Sequence, residues 1–388
     1  MYTQNTPFHV KLWHHDFWRL AIANMLITTS VYMLIPILPL WLAKYGDALM
    51  TGITMSSYGI GLFVMGGLCN YLVQRYRRNR VCQMAIIGMI ACLLLLYLII
   101  QGRLPFCDNI IAVIAVRFFL GVSFGLVQMV LMSTLIIDVC ESFQRTEANH
   151  SASWFGRFSM SLGPAAAILI YHFTSIEYVI LSTCVCCLVS VVLIQLVNFP
   201  FKAPEENKSA FSLDRFFLPD GWLLFINLML ITTIVGMVFA TGLTHVFYGM
   251  MMCGFFLALL SEKFVFVNAD LKSETITGLI SLIAALLMLN QKAIAVNNYI
   301  PPVLIGFGIG IIGSRFLLFF IKLSRHCQRG TSQSTFFLAW ESGISLGLFL
   351  GYACLSECIY LSGIVISVIS LVMYHFFTHP WYMIHKNR

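Results

Sequence analysis

Charge is what this chain has least of. Only 10% of its 388 residues are Asp, Glu, Lys or Arg, against 59% hydrophobic ones, and the mean hydropathy is +0.87. A soluble domain carries about 25% charged residues, so the shortage excludes one and predicts an all-α, multi-pass integral membrane protein. The twelve cysteines offer no His/Cys spacing that reads as a zinc site. Cys184, Cys186 and Cys187 lie in an apolar run, where a thiol behaves as a small hydrophobe. No His, Asp, Glu and Cys constellation has catalytic spacing, and the loops are too short to hold a soluble active site. An enzyme, a metal and an organic cofactor are therefore not expected. The net charge of +7 sits in loops between apolar runs, which argues against a nucleic-acid partner. Met1–His15 is polar, without the short apolar core and small-residue cleavage site of a secretory signal. The run that begins near Phe17 is expected to serve as helix and address at once.

What is present is a series of runs near the ~20 residues that a helix needs to cross a bilayer. They fall near 17–42, 51–73, 81–101, 109–137, 151–172 and 176–198, and then near 221–243, 246–266, 274–290, 300–323, 332–353 and 357–377. Between the two sets lies the longest hydrophilic stretch, Phe199–Asp220. The reading is twelve transmembrane helices in two six-helix bundles, 1–199 and 221–388, joined by a linker at 200–220. The basic loop residues divide unequally. Arg75, Arg77, Arg78, Arg80, Arg145, Lys202, Lys263, Arg325 and Arg329 fall on one side, and Lys44, Arg103 and Lys292 on the other. By the positive-inside rule the first side, with both termini, is cytoplasmic. The lipid bilayer is thus one expected partner.

Four charges stand deep inside the runs, away from their ends: Arg117, Arg157, Arg315 and Glu341. Placing one in hydrocarbon costs at least ~2.5 kcal/mol, so such residues face a polar cavity or a partner and are functional by default. Arg117 keeps its proton under all ordinary conditions, so it is expected to tune a neighbouring carboxylate or hold an anionic group, the alternative being a structural arginine satisfied by backbone carbonyls and helix ends. Glu341 and Arg315 lie at matched depths and are expected to pair, with a proton-coupling role for Glu341 as the alternative. Arg157 is expected to reach Asp138 or an anionic substrate. The halves also look alike. Ser161-Leu162-Gly163 and Ser345-Leu346-Gly347 align, with Arg157 and Glu341 each six residues before the glycine, as an internal duplication meeting at a central cavity would have it.

On these residues the chain resembles the major facilitator superfamily of secondary transporters. The family's loop signature between the second and third spans corresponds to Asn70–Arg80, where Leu72, Arg75 and Arg78 match and Gln74 replaces the acidic residue. The resemblance implies a cytoplasmic gating cluster of Arg75, Arg78 and Asp138, with Glu262 and Lys263 as the acid-base pair of the second half. The fourth-span pattern Arg-x-x-x-Gly is Arg117 and Gly121. Gly163-Pro164-Ala165-Ala166-Ala167 is similar to the exporters' fifth-span motif, with Pro164 expected to kink the helix and the small residues to let helices approach, as between bundles. The start of the eleventh span looks like that of drug and metabolite proton antiporters.

Uncharged polar residues complete the expected cavity. Asn24, Thr28 and Tyr32 share a face of the first span, Gln128 follows on the fourth, and Asn227 and His245 lie on the seventh. Pro36 and Pro39 are expected to bend the first span near its outer end. The reading is a monomeric carrier in a bacterial inner membrane that exports a small organic molecule by alternating access, driven by the proton gradient. Two rivals stand beside it: uptake of a nutrient or anionic metabolite on the same fold, and a sensor or assembly protein without a transport cycle, suggested by the lost acid at Gln74.

Overall fold

The computed structural model describes residues 12–104, 110–141, 143–199, 209–266, 269–291 and 298–386. Among them ten helices are long and apolar enough to cross a membrane. In chain order, with the further helices α2 and α5, they are α1 (His15–Tyr45), α3 (Arg78–Ile100), α4 (Ile110–Asp138), α6 (Ile176–Gln195), α7 (Pro219–Phe239), α8 (His245–Phe264), α9 (Leu271–Asn290), α10 (Ile300–Leu323), α11 (Arg329–Cys354) and α12 (Ile359–His385). Between α1 and α3, Ala48–Val64 and Gly66–Arg75 form one bent rod, α2, with a 48° bend. Between α4 and α6 runs α5, Arg145–Phe173, a single helix of 29 residues. At 1.5 Å per residue it is about 43 Å long. It lies outside the apolar set because Arg157, His150, Asn149 and several serines interrupt its hydrophobic run. Pro164 sits inside this helix without ending it.

The pairing of these rods repeats after six. In the first group α1 packs on α5 and α6, α4 on α2 and α3, and α3 on α6. In the second, α7 packs on α11 and α12, α10 on α8 and α9, and α9 on α12. The main contacts between the groups are α2 with α11 and α5 with α8, each the image of the other under the same shift. Close approach is set by glycine in matching places. A Cβ on Gly121 of α4 would overlap the Tyr58 carbonyl oxygen of α2, and one on Gly306 of α10 would overlap that of Met251 on α8.

Several rods depart from a regular helix. In α1 the first helical stretch ends at Tyr32 and a second resumes at Leu34, at the turn before Pro36. Pro36 has no N–H to give back to that turn. Pro39 lies further along the resumed helix. Wider π-type turns occupy Leu131–Leu135 of α4 and Leu350–Cys354 of α11. Both lie where the groups meet. Gly330 packs against Ser133 at the face that carries both described chain ends, here termed the basic face, and Gly52 packs against Ala353 at the opposite one. The bundles therefore touch near both ends of the seam.

Candidate functional site

The seam gathers the buried polar residues. On α1, Asn24, Thr28 and Tyr32 stand one above another at a four-residue spacing, all buried. Gln128 of α4 reaches them, its Nε2 donating to Asn24 Oδ1 at 2.9 Å and to Thr28 Oγ1 at 3.0 Å. Asn24 Nδ2 donates in turn to the Ala152 carbonyl of α5 at 3.0 Å. The cluster thus knits α1, α4 and α5 within one bundle. Interhelical hydrogen bonds in membranes are worth about 0.6 kcal/mol each on average, so Gln128→Ala is expected to cost about 1 kcal/mol for the two. Thermal unfolding in detergent reads that loss.

One turn further, Tyr32 crosses the seam. Its hydroxyl donates to Glu341 Oε1 at 2.9 Å, and the Tyr58 hydroxyl of α2 donates to Oε2 at 3.4 Å. Glu341 is 3% exposed and is held by two hydroxyls from the other bundle. Behind Tyr58 lies Arg117, fully buried, with its Cζ 4.9 Å from the Tyr58 ring centroid. Arg117 Nη2 donates to the Met55 carbonyl at 3.1 Å, while its Nε and Nη1 have no hydrogen-bond partner among the described residues. A cation over an aromatic face is attracted by the ring quadrupole. The order Arg117, Tyr58, Glu341 therefore places positive charge, ring and carboxylate in succession across α4, α2 and α11.

Glu341 does not pair with Arg315. Arg315 Nε donates to Glu274 Oε2 on α9, and its Nη2 lies 3.9 Å from Glu262 Oε1 on α8. Depth along the two helices matched, but Glu341 faces the opposite bundle whereas Arg315 turns into its own. His150 of α5 joins this second cluster. Its Nε2 lies 3.6 Å from Glu262 Oε2, an ion pair when the imidazole is protonated, and bonds Ser314 Oγ. Glu262 consequently does not serve Lys263, which is exposed and lies over the Phe264 ring.

Arg157 crosses the seam from the other side. Its Nη1 donates to the Gly310 carbonyl of α10 at 2.7 Å, its Nη2 to Ser153 Oγ at 2.7 Å, and its Cζ lies 3.9 Å from the Trp154 ring centroid. It does not reach Asp138, which takes Arg78 as its partner near the basic face. The aligned serines also cross the seam. Ser161 donates to the Tyr248 carbonyl of α8, and Ser345 to the Ser56 carbonyl of α2 at 2.7 Å. Arg157 and Glu341, aligned in the sequence, thus each address the opposite bundle.

Other expected residues stand elsewhere. His245 begins α8 and is exposed. Asn227 is buried between α7 and α12, donating to the Ser370 carbonyl at 3.1 Å, so it braces one bundle and does not line the seam. Gly163 packs on Thr29 and Tyr32 of α1 within its own bundle, beside the buried Pro164. Arg75 is exposed and donates to the Tyr71 hydroxyl at 2.5 Å. Tyr58, His150 and Glu274 are the residues that the sequence reading missed. Glu274 was legible as an acid at the first residue of an apolar run, whereas Tyr58 carried no charge to mark it.

The fold has known counterparts. The human organic anion transporter MFSD10 (TETRAN) superposes with a TM-score of 0.66 at 11% identity, covering 93% of this chain and 99% of the other. A bacterial homologue of the iron transporter ferroportin, solved in an outward-facing state, gives 0.66 at 14% identity, covering 94% and 99%. At these identities the likeness is one of fold. No curated protein sequence matches the chain. The family model of the Major Facilitator Superfamily matches residues 20–348, and with it a transporter is indicated in place of an enzyme. By that match and the repeated six-helix pairing, the chain belongs to the Major Facilitator Superfamily.

Proposed function

We propose that the chain is a secondary active transporter that exports a small organic solute by alternating access and is coupled to protons. The observation that carries the coupling is Glu341, a buried carboxylate on the seam held by hydroxyls of the opposite bundle, with no basic side chain bonded to it among the described residues. Hydrogen bonds to an ionised acceptor are roughly twice as strong as neutral ones. A proton arriving at Glu341 weakens its hold on Tyr32 and Tyr58, and α11 parts more easily from α1 and α2. Proton release restores the hold. One group then responds both to protons and to the relative position of the bundles, as a population shift between two states requires. Arg117 supplies a fixed positive charge behind Tyr58.

The export direction rests on the exporter-like Gly163-Pro164-Ala165-Ala166-Ala167 stretch. The same reading takes 1–199 and 221–388 as rocking bundles, 200–220 as the cytoplasmic linker, α2 and α5 as crossings, and a monomer in a bacterial inner membrane with both termini in the cytoplasm. A second reading, a carrier of anionic metabolites, is favoured by two nitrogens of Arg117, behind Tyr58, that have no hydrogen-bond partner among the described residues.

The test is purified protein in liposomes with a trapped pH dye and an imposed pH gradient, challenged with pools of candidate solutes. Proton movement opposite to solute flux is the expected result. Solute flux without proton movement points to a uniporter or another ion. No flux in wild type or in Gln74→Asp establishes the sensor or assembly reading in its place.

A further inference from the structure

The connecting segment does more than tether the bundles. Its described part, residues 209–218, runs across the seam on the basic face and is fixed at both sides. On the α2 side, Ser212 N–H donates to the Gly67 carbonyl at 3.0 Å. The rings of Phe211 and Phe216 lie against Gly67 and Gly66, where an added Cβ would overlap them. This seat lies just beyond the bend in α2. On the α11 side, Arg215 N–H donates to Thr331 Oγ1 and Leu218 N–H to Thr335 Oγ1, each at 2.8 Å. Thr331 Oγ1 donates in turn to Asp214 Oδ1 at 3.0 Å.

Arg215 has a φ of +60°, and no other non-glycine residue among those described has a positive φ. Left-handed backbone is unfavourable for a residue with a Cβ and persists only where the surroundings over-determine it. Here the surroundings are Thr331 at its amide and, around its guanidinium, the charges of Arg78, Asp138 and Asp214. The strap therefore lies beside an ion pair near this mouth, Arg78–Asp138, and lines the same cavity. Gln74 Oε1 is buried without a hydrogen-bond partner among the described residues.

We infer that residues 209–218 are a strap that holds the two bundles together on the basic face, with Asp214 and Arg215 fixing it to Thr331 of α11. This rests on the alternating-access reading, in which Ser133 and Gly330 must part for the basic face to open. The strap spans that opening, so it must release one end. The α11 end is held by three hydroxyl-mediated hydrogen bonds and the α2 end mainly by ring packing on glycine. Release at α11 exposes polar groups to water at little cost, whereas release at α2 uncovers the half-buried Phe216 ring, Phe211 being exposed already.

The experiment places a cysteine at Ser133 in the full chain and follows its modification by a membrane-impermeant thiol reagent applied from the basic face. Mass spectrometry reads residue 133 separately from the native cysteines, of which Cys327 is already exposed. Thr331→Val removes one acceptor and one donor, each bond worth about 1 kcal/mol, so the labelling rate at 133 is expected to rise about thirtyfold. Asp214→Asn, which keeps the shape of the segment, is expected to give a smaller rise, and Thr331→Ser the wild-type rate. If Thr331→Val also lowers thermal stability, Asp214→Asn alone decides. An unchanged rate in a stably folded Asp214→Asn and Thr331→Val overturns the strap. The readout needs no solute, so a rise in labelling alongside absent solute flux keeps the strap and removes only the transport reading.

Discussion

Replacing Glu341 by glutamine is expected to lower uphill solute transport by at least about 100-fold, the order lost when a positioned proton-transfer group is removed, while solute exchange without a gradient continues. Glutamine keeps the volume of the side chain and one carbonyl acceptor, so the bond from Tyr32, 2.9 Å in the wild type, has a partner in the variant. What is lost is the change of charge. With no proton to take up or release, the hold of α11 on α1 and α2 no longer varies, and the two states lose their link to the proton gradient. Radiolabelled solute uptake into vesicles, with and without a pH gradient, separates the two activities. Loss of both activities in a stably folded variant would make Glu341 a solute contact and not a coupling group.

The second large effect is steric. Gly121→Val places a side chain where the backbone of Tyr58 now lies, since even a Cβ there would overlap the Tyr58 carbonyl oxygen and Cα. Overpacking a tight contact costs typically about 1–3 kcal/mol and occasionally more, and here the strained partners are two backbones, which give less than side chains do. The upper end of that range is expected. Because Tyr58 carries the ring over Arg117 and a hydroxyl to Glu341, a shift of α2 also disturbs the seam. Thermal unfolding and transport should therefore fail together. Gly306→Val, the counterpart on α10, meets the Met251 carbonyl and is expected to cost similar stability without displacing Tyr58.

Much of this was legible in the sequence, because bilayer thickness fixes helix length and charge asymmetry fixes the order of the loops. The run at 300–323 is the helix Ile300–Leu323, and the run at 274–290 lies within Leu271–Asn290. The shared face of Asn24, Thr28 and Tyr32 followed from helical spacing alone. What escaped was direction around the helix. Arg315 and Glu341 were matched by depth, yet depth leaves the azimuth free, and Glu341 turns to tyrosines of the other bundle. Asn227 failed for the same reason, since a buried amide serves α12 as readily as a cavity. His245 failed by a boundary, falling at the start of α8 and not at the end of α7. The Ser-Leu-Gly repeat was informative beyond its size, because Ser161 and Ser345 bond the opposite bundle and Gly163 and Gly347 pack on the first helix of their own.

The most direct test of the central claim, that Glu341 is the group through which protons act on the seam, is the dye signal in paired liposomes holding wild type and Glu341→Gln. With a solute pool that moves protons in wild type, the account predicts no solute-dependent proton movement in the variant, with solute binding retained. Full proton movement in Glu341→Gln would contradict it, reducing Glu341 to a hook between α11 and the two tyrosines and moving the search for the coupling group to His150, Glu262 and Glu274.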